Sequence, residues 1–316
     1  MAHMIETMAY AGATPWHGLG EQVDPSLSSL EMLKAAGLDW SVEKQAMVTG
    51  DLLDIRMPDH YALIRSFSDG RKDVLGICGK DYQVTQNEKA FEFFNEFVTS
   101  GGMEMHTAGA LNGGRRVWGL ASIKQGFTLP GGDEVHGFLL LSHPHIWGEA
   151  LRVMFTTVRV VCNNTLTYAL ARSGGFRMTH SYVFDDDMQL KAKETLGLAV
   201  EQLEQAEAVS RKLASTKATD EMLNSFLTKL FPKPDADNDE LNRTGKLVLD
   251  ALKTQPGAEM ESSAGTMWGA LNAVTYVVDH KLGRTAEGRL ENAWFGSRAE
   301  LKRKAVSTAM ELALAA

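Results

Sequence analysis

The sequence has little cysteine and no nucleotide-binding motif, and each absence removes a class of protein. Its two cysteines, Cys78 and Cys162, lie far apart and lack partners at metal spacing, which fits a reducing cytoplasm. There is no GxxxxGK[ST] loop, no GxGxxG after a strand and no HExxH. Nucleotide hydrolysis and dinucleotide redox chemistry are therefore unsupported, and no cofactor is predicted.

Long apolar runs are also missing. No stretch of about 18 apolar residues occurs, so no membrane span is expected. Residues 1–20 lack a basic start followed by an apolar run, so no secretion signal is predicted and the expected location is the cytoplasm. The composition, 44% hydrophobic and 23% charged, is typical of an ordinary globular protein, and the length allows two domains.

Basic side chains are fewer than acidic ones, with 32 Lys+Arg against 40 Asp+Glu. This balance argues against a protein that coats nucleic acid with its whole surface, but it leaves room for a local basic groove. The segment 150–184 reverses the balance, because it holds no acidic residue and four arginines: Arg152, Arg159, Arg172 and Arg177. The segment therefore predicts a surface that binds an anion, and a polyanion above all.

Turn signals and apolar periodicity predict an α+β fold with two domains. Residues 1–184 are expected to form a core of antiparallel β-hairpins with interposed helices, and residues 185–316 a mainly helical extension with a flexible loop near 231–240. The clearest hairpins turn at 112–114 and 144–148. Residues 124–133 are predicted to form a loop, and a helix is predicted from Asn164 to Arg172.

The helical extension begins with an acidic segment, since residues 185–240 hold 7 basic and 13 acidic side chains. A narrow heptad seam runs along its first helix. This seam is consistent with packing on the chain's own body or with an intermolecular coiled coil. Its members are Ala192, Leu196, Ala199, Leu203, Ala206, Ser210 and Leu213.

The arginines of the acid-free segment need not form one patch. Arg152 and Arg159 are seven residues apart, which places them on opposite faces of an ideal strand. Arg159 lies in an apolar run and needs an anionic partner, either a phosphate or an internal carboxylate.

The following corner, 162–165, offers helix N-terminal amides to an anion, although a plain capped corner explains the same residues. A nucleophilic Cys162 would need a base such as His143 or His145.

A second basic feature lies at the hairpin tip, where Arg115 and Arg116 follow the glycines and Trp118 is near. Such a hairpin suits the backbone and bases of single-stranded DNA, and Lys124 would extend the surface. The alternative is a polar edge that resists sheet-to-sheet pairing. His143-Pro144-His145 supplies only two metal ligands with no evident third, so no metal site is predicted.

Four motifs carry a family resemblance: residues 15–20 (PWHGLG), 82–87 (YQVTQN), 158–166 (VRVVCNNTL) and 268–275 (WGALNAVT). On these the chain resembles the phage/plasmid-like protein family, built on an uncharacterised domain, DUF family 932, over about residues 1 to 310. More distantly, it is similar to the single-strand annealing recombinases of phages, the RecT, Red-beta and Erf group. That similarity implies rings or filaments that hold one DNA strand in a basic groove without a nucleotide.

The resulting hypothesis is a strand-annealing, single-stranded DNA-binding protein of a phage, prophage or plasmid that self-associates, has no membrane partner and performs no bond chemistry. Trp118, Phe155 and Tyr168 are candidate stacking partners or core residues. The alternatives are a non-catalytic assembly or host-interaction protein, and an enzyme using Cys162. The predicted DNA contacts are Arg115, Arg116, Lys124, Arg152, Arg159, Arg172, Asn163 and Asn164.

Overall fold

A computed structural model describes residues 5–12, 20–51, 55–159, 164–166, 176–180, 187–232, 241–283 and 286–316. Within these ranges the chain is a mixed α+β protein, as predicted, with strands concentrated before the long helices. It divides into two compact units. The first unit comprises Met1–Lys124, Leu139–Met154 and Gly175–Leu198, and the second comprises Gln125–Phe138, Phe155–Gly174 and Ala199–Ala316.

Eleven strands are described. They are β1 (Ile5–Ala11), β2 (Glu21–Val23), β3 (Ser41–Thr49), β4 (Ile55–Ser66), β5 (Lys72–Gly79), β6 (Glu104–Leu111), β7 (Arg116–Leu129), β8 (Asp133–Pro144), β9 (Ala150–Arg159), β10 (Asn164–Leu166) and β11 (Phe176–Thr179). One sheet has the order β3-β4-β5. The other has the order β10-β9-β8-β7-β6-β1-β2, with β11 also paired to β9.

The hairpin between β6 and β7 turns where the sequence predicts it. Asn112, Gly113 and Gly114 all have positive φ, at 54°, 63° and 81°, which glycine adopts without steric cost. A Cβ atom on Gly114 would collide with the guanidinium of Arg65. The third turn residue is therefore restricted by packing as well as by its backbone conformation.

Two local predictions are wrong. Residues 124–133 are mostly strand rather than loop, because β7 continues to Leu129 and β8 starts at Asp133, leaving a turn at 130–132. The predicted helix does not begin at Asn164, because residues 164–166 form β10 and pair antiparallel with Thr157–Arg159. An asparagine that can cap a helix serves equally well in a tight turn between strands. The rest of that prediction, to Arg172, lies outside the described residues.

Eight α-helices are described, and the predicted ones near residues 28–36 and 88–98 are confirmed. They are α1 (Ser29–Ala35), α2 (Asn87–Ser100), α3 (Asp187–Ser215), α4 (Asp220–Leu230), α5 (Arg243–Thr254), α6 (Met267–Tyr276), α7 (Ala286–Trp294) and α8 (Ser297–Ala315). A π-helical turn, Val277–Lys281, follows α6. No helix among the described residues is both long and apolar enough to cross a membrane.

The second unit is built around α6, whose residues 267–275 are all buried, as expected of a helix that is apolar on every side. The buried carboxylate of Asp133 accepts hydrogen bonds from Ser262 Oγ (2.6 Å) and Trp268 Nε1 (3.0 Å).

Four members of the predicted heptad seam are buried within the single chain: Leu203, Ala206, Ser210 and Leu213. In this part of α3 the seam packs on the chain's own body.

Candidate functional site

The first unit contains a cavity of about 230 Å³ where β5, β11 and the β8–β9 turn come together. Its walls combine aromatic rings, two carboxylates and two glycines, so it offers stacking surfaces and hydrogen-bond acceptors in a small space. We call it the Trp147 pocket. It is lined by Gly79, Asp81, Tyr82, Trp147, Gly148, Glu149, Thr179 and His180.

Trp147 is a large apolar side chain that remains 58% exposed at the β8–β9 turn. The edge of its indole meets the ring of His60 at a centroid distance of 6.5 Å. A Cβ atom on Gly79 would lie only 3.1 Å from Trp147 Cζ2, so the indole approaches the β5 backbone closely enough to favour glycine there. The ring is therefore held in place while one part of it faces solvent.

Tyr82 and His180 form the buried part of the pocket wall, with their rings stacked 4.6 Å apart at an interplanar angle of 19°. Burial raises the pKa of Tyr82, and its hydroxyl has no hydrogen-bond partner among the described residues. Burial also lowers the pKa of His180, although backbone groups of Pro144 and Gln83 oppose that shift. Both shifts favour the neutral form of the ring.

Two further histidines lie behind this wall. The rings of His143 and His145 are 4.5 Å apart, and their Nε2 atoms donate to Thr85 O (3.1 Å) and Asn87 Oδ1 (2.8 Å). Burial lowers the pKa of His143 to about 3 and the pKa of His145 well below its ordinary value. In the part of the chain that the structure describes, no group of three or more His, Cys, Asp or Glu residues has metal-binding geometry.

Arg116, a predicted DNA contact, is buried and fixes the position of a carboxylate at the pocket. Its Nη2 donates to Glu149 Oε2 (2.5 Å) and its Nη1 to Ser142 Oγ (2.9 Å). The Arg116 side chain is 7% exposed, whereas that of Glu149 is 41% exposed. The guanidinium is therefore engaged internally, because a buried cation needs a charged or polar partner. Its effect on the pocket is to orient Glu149.

The clearest cationic feature is a pair of arginines on neighbouring strands. Arg152 on β9 and Arg177 on β11 are direct partners in the antiparallel register. Both are exposed, and neither forms an ion pair with any described residue. Like charges placed directly opposite each other destabilise a sheet, so the arrangement favours a bound anion. Thr179, two residues from Arg177 and so on the same face of β11, lines the Trp147 pocket.

The other predicted contacts have different surroundings. Arg115 is exposed, although its Nε donates to Leu75 O (2.6 Å). Lys124 is exposed and pairs with Glu104 at 3.2 Å. The backbones of Arg159 and Asn164 are directly paired between β9 and β10. The side chains of those two residues, and the whole of Asn163 and Arg172, lie outside the described residues.

The proposed stacking residues are not at this surface. Trp118 and Phe155 are buried in the core, which was the alternative interpretation of both, and Tyr168 and Cys162 lie outside the described residues. Sequence reasoning missed Trp147 as a candidate. A tryptophan beside a glycine in the turn 145–149 between two strands has no sheet face to pack on, and that signal was available.

Comparison with known proteins identifies the family. Residues 74–301 match the family model described as Domain of unknown function (DUF932), which is well over half of the chain. The chain belongs to this family. The lining residues of the Trp147 pocket and the arginine pair all fall inside the matched region. No curated protein and no solved structure matches the chain.

Proposed function

We propose that this DUF932 protein binds single-stranded DNA and anneals complementary strands without a nucleotide, in the setting of a phage, prophage or plasmid. The observation that carries the proposal is the pair Arg152 and Arg177, which are exposed, adjacent and without an acidic partner among the described residues. The resemblance to the phage annealing recombinases, noted from the sequence, supports the same conclusion.

The arginine pair has the chemistry that a phosphodiester backbone requires. Side chains directly opposite on antiparallel strands have Cβ atoms about 5 Å apart, so both guanidiniums can reach one phosphate or two successive ones. A guanidinium donates two parallel N–H groups to a phosphate, and water solvates it weakly enough for it to do so. The exposed indole of Trp147 adds a surface on which a base can stack.

The proposed contact set is therefore centred on Arg152 and Arg177. The exposed Arg115 and Lys124 extend it, because an exposed ion pair such as Lys124–Glu104 is weak and opens readily to a phosphate. The segment that holds Arg159, Asn163, Asn164 and Arg172 stays in the proposal on sequence grounds. Arg116 leaves the contact set and becomes the residue that orients Glu149.

Binding by a small patch is compatible with a formal net charge of −8, provided that the remaining surface repels DNA and only the patch attracts it. Annealing would then proceed with one strand held extended until a complement pairs. Self-association into a ring or filament would align such patches along the strand. Neither step requires a bond to form or break within the protein.

The proposal is tested by fluorescence anisotropy with a labelled single-stranded oligonucleotide and by an annealing assay with two complementary strands and no nucleotide. Wild-type protein is expected to bind at low salt and to accelerate annealing. The Arg152→Gln/Arg177→Gln variant is expected to bind at least about tenfold more weakly, since each hydrogen bond to a charged group contributes about 1.5–3 kcal/mol.

The matched control is Arg71→Gln/Lys72→Gln, which removes the same charge from exposed residues that already pair with Asp69 and Glu43. This control is expected to bind and anneal like wild type. The proposal fails if wild-type protein does not bind single-stranded DNA at low salt. It also fails if the two double variants weaken binding equally, since net charge alone would then account for the loss.

One observation favours the alternative of a non-catalytic assembly protein. Strand β5 is an edge of the three-stranded sheet, and two of its apolar residues, Val74 and Ile77, are 69% and 47% exposed. Exposed apolar edge strands promote pairing with another chain. If self-association is the function, the wild type should be oligomeric in light scattering and show no affinity for DNA. The Val74→Lys/Ile77→Lys variant should then be monomeric.

A further inference from the structure

We propose that the Trp147 pocket holds a single base of the bound strand and selects guanine. This inference rests on the proposed function, because the arginine pair would bring the strand to the pocket. It adds a sequence preference that an annealing protein bound only to phosphates would not have.

The size of the pocket limits its occupant. About 230 Å³ is below the range of roughly 300–1,000 Å³ that is typical of sites for drug-sized ligands. One planar ring system fits this volume better than a whole nucleotide does. The lining supplies aromatic surfaces from Trp147 and from the stacked Tyr82 and His180, and base recognition in single strands relies on such surfaces.

The charges of the pocket select among the bases. Its lining includes two carboxylates, those of Asp81 and Glu149, and no lysine or arginine. Arg116 holds Oε2 of Glu149, which fixes the carboxylate and leaves Oε1 able to accept a hydrogen bond. Asp81 is exposed and has no ion pair with a described residue. The pocket therefore presents acceptors and requires donors from its ligand.

Guanine is the base that best satisfies this requirement. Its Watson–Crick edge carries two adjacent donors, the N1–H and the N2 amino group, which Oε1 and the remaining lone pair of Oε2 on Glu149 can accept in parallel. Adenine and cytosine each present one amino group on this edge. Thymine presents one N–H between two carbonyl oxygens, which the carboxylates would repel. The fixed position of Glu149 sharpens the difference, since a preorganised acceptor loses little entropy on binding.

The arginine pair and the pocket would divide the recognition of the strand. Thr179 lies on the same face of β11 as Arg177 and lines the pocket, so a phosphate held by the arginines is adjacent to the base-binding cavity. One base per protomer would be anchored in this way. The other bases remain free to pair with a complementary strand, so that base capture and annealing are compatible.

The test compares oligo-dT carrying one central substitution, either guanine, inosine or adenine, with unsubstituted oligo-dT at one salt concentration. A single guanine is expected to tighten binding about tenfold, within the range of a bidentate base contact. Inosine lacks the N2 amino group and should lose most of that gain. Quenching of tryptophan fluorescence by the guanine oligonucleotide should be absent in Trp147→Leu.

The variants Glu149→Gln and Asp81→Asn should each reduce the guanine-to-thymine affinity ratio toward one, and glutamine at 149 can still accept from Arg116, which preserves the fold. The control Glu92→Gln removes an exposed carboxylate on α2 and should retain the ratio. Equal affinity of wild type for guanine and thymine oligonucleotides, with a normal salt dependence, would overturn the base pocket alone. Absence of binding to every oligonucleotide would overturn the proposed function as well.

Discussion

The two units handle buried charge in different ways. In the second unit Lys302 and Asp279 pair at 2.8 Å, and both side chains are buried, with exposures of 1% and 7%. In the first unit the buried Arg116 pairs with Glu149, which remains partly exposed at a pocket. The closed pair contacts protein on all sides, so removing one partner leaves an uncompensated buried charge. The half-open pair instead leaves part of the Glu149 carboxylate exposed to solvent. The Lys302–Asp279 pair therefore has a structural role alone, whereas the Arg116–Glu149 pair leaves a carboxylate accessible at the pocket.

Breaking the closed pair, Lys302–Asp279, should give the largest effect on stability. Asp279→Leu leaves Lys302 buried without its carboxylate, and loss of one partner from a buried pair costs about 3–5 kcal/mol. Burial lowers the pKa of Lys302 and Asp279 opposes that shift. Removing Asp279 therefore favours the neutral amine of Lys302. Urea denaturation should show the loss. The double variant Asp279→Leu/Lys302→Met should recover most of it, and a loss below about 1 kcal/mol in the single variant would contradict the structural role.

Acid should destabilise the first unit through its buried histidines. Burial lowers the pKa of His143 from 6.5 to about 3, so the folded state binds fewer protons than the unfolded state between these values. The stability contributed by the neutral His143 ring is fully present above pH 6.5 and is lost as the pH falls. The loss is about 1.4 kcal/mol per pH unit, or about 2 kcal/mol between pH 7 and pH 5.

Denaturation of wild type and His143→Gln at pH 7 and pH 5 isolates the pH-dependent stability due to His143, because glutamine can still donate to Thr85 O and does not titrate. The variant should lose about 2 kcal/mol less stability over that interval than wild type does. His136→Gln removes an exposed ring and should change stability at pH 7 by no more than about 0.5 kcal/mol. An unchanged pH dependence in His143→Gln would contradict the buried, neutral ring.

The half-open pair should give a smaller effect than the closed one. Glu149→Ala removes the partner of Arg116, but water reaches the vacated position because the carboxylate is 41% exposed. The expected loss is about 1–2 kcal/mol, toward the lower end for a charged group left without its hydrogen bond. Urea denaturation beside Asp279→Leu measures the contrast. A loss as large as that of Asp279→Leu would show that both pairs are equally structural.

The arginine pair should show the smallest effect on stability, and with the opposite sign. Arg177→Gln removes a like-charge contact with Arg152 and is expected to stabilise the protein by about 0.2–0.5 kcal/mol while weakening DNA binding. Thermal denaturation at low salt, where charge repulsion is least screened, is the appropriate measurement. A loss of stability above about 1 kcal/mol would mean that Arg177 supports the fold.

Local patterns predicted local structure well. The positive φ angles at 112–114 and the apolar face of α2 follow from a few neighbouring residues, and both predictions are confirmed. The burial of Arg116 was not predicted, because an arginine at the start of a strand usually remains at the surface. The following residues 117–121 are buried on both strand faces, and that continuous apolar run was the available signal.

Pairing between distant segments could not be predicted from the sequence. Arg177 lies opposite Arg152 only because β11 pairs with β9 in one register, and a shift of one residue would place the two arginines on different faces. The Trp147 pocket likewise combines residues from three separate segments, 79–82, 147–149 and 179–180. No periodicity within one segment encodes such a meeting.

The salt dependence of binding to oligo-dT tests the central claim most directly. Each phosphate contact contributes about 0.7 to the slope of log affinity against log salt concentration for a single strand. The slope of Arg152→Gln/Arg177→Gln should therefore be about 1.4 smaller in magnitude than that of wild type, while Arg71→Gln/Lys72→Gln should keep the wild-type slope. Equal slopes for wild type and the Arg152/Arg177 variant would contradict a phosphate site at this pair.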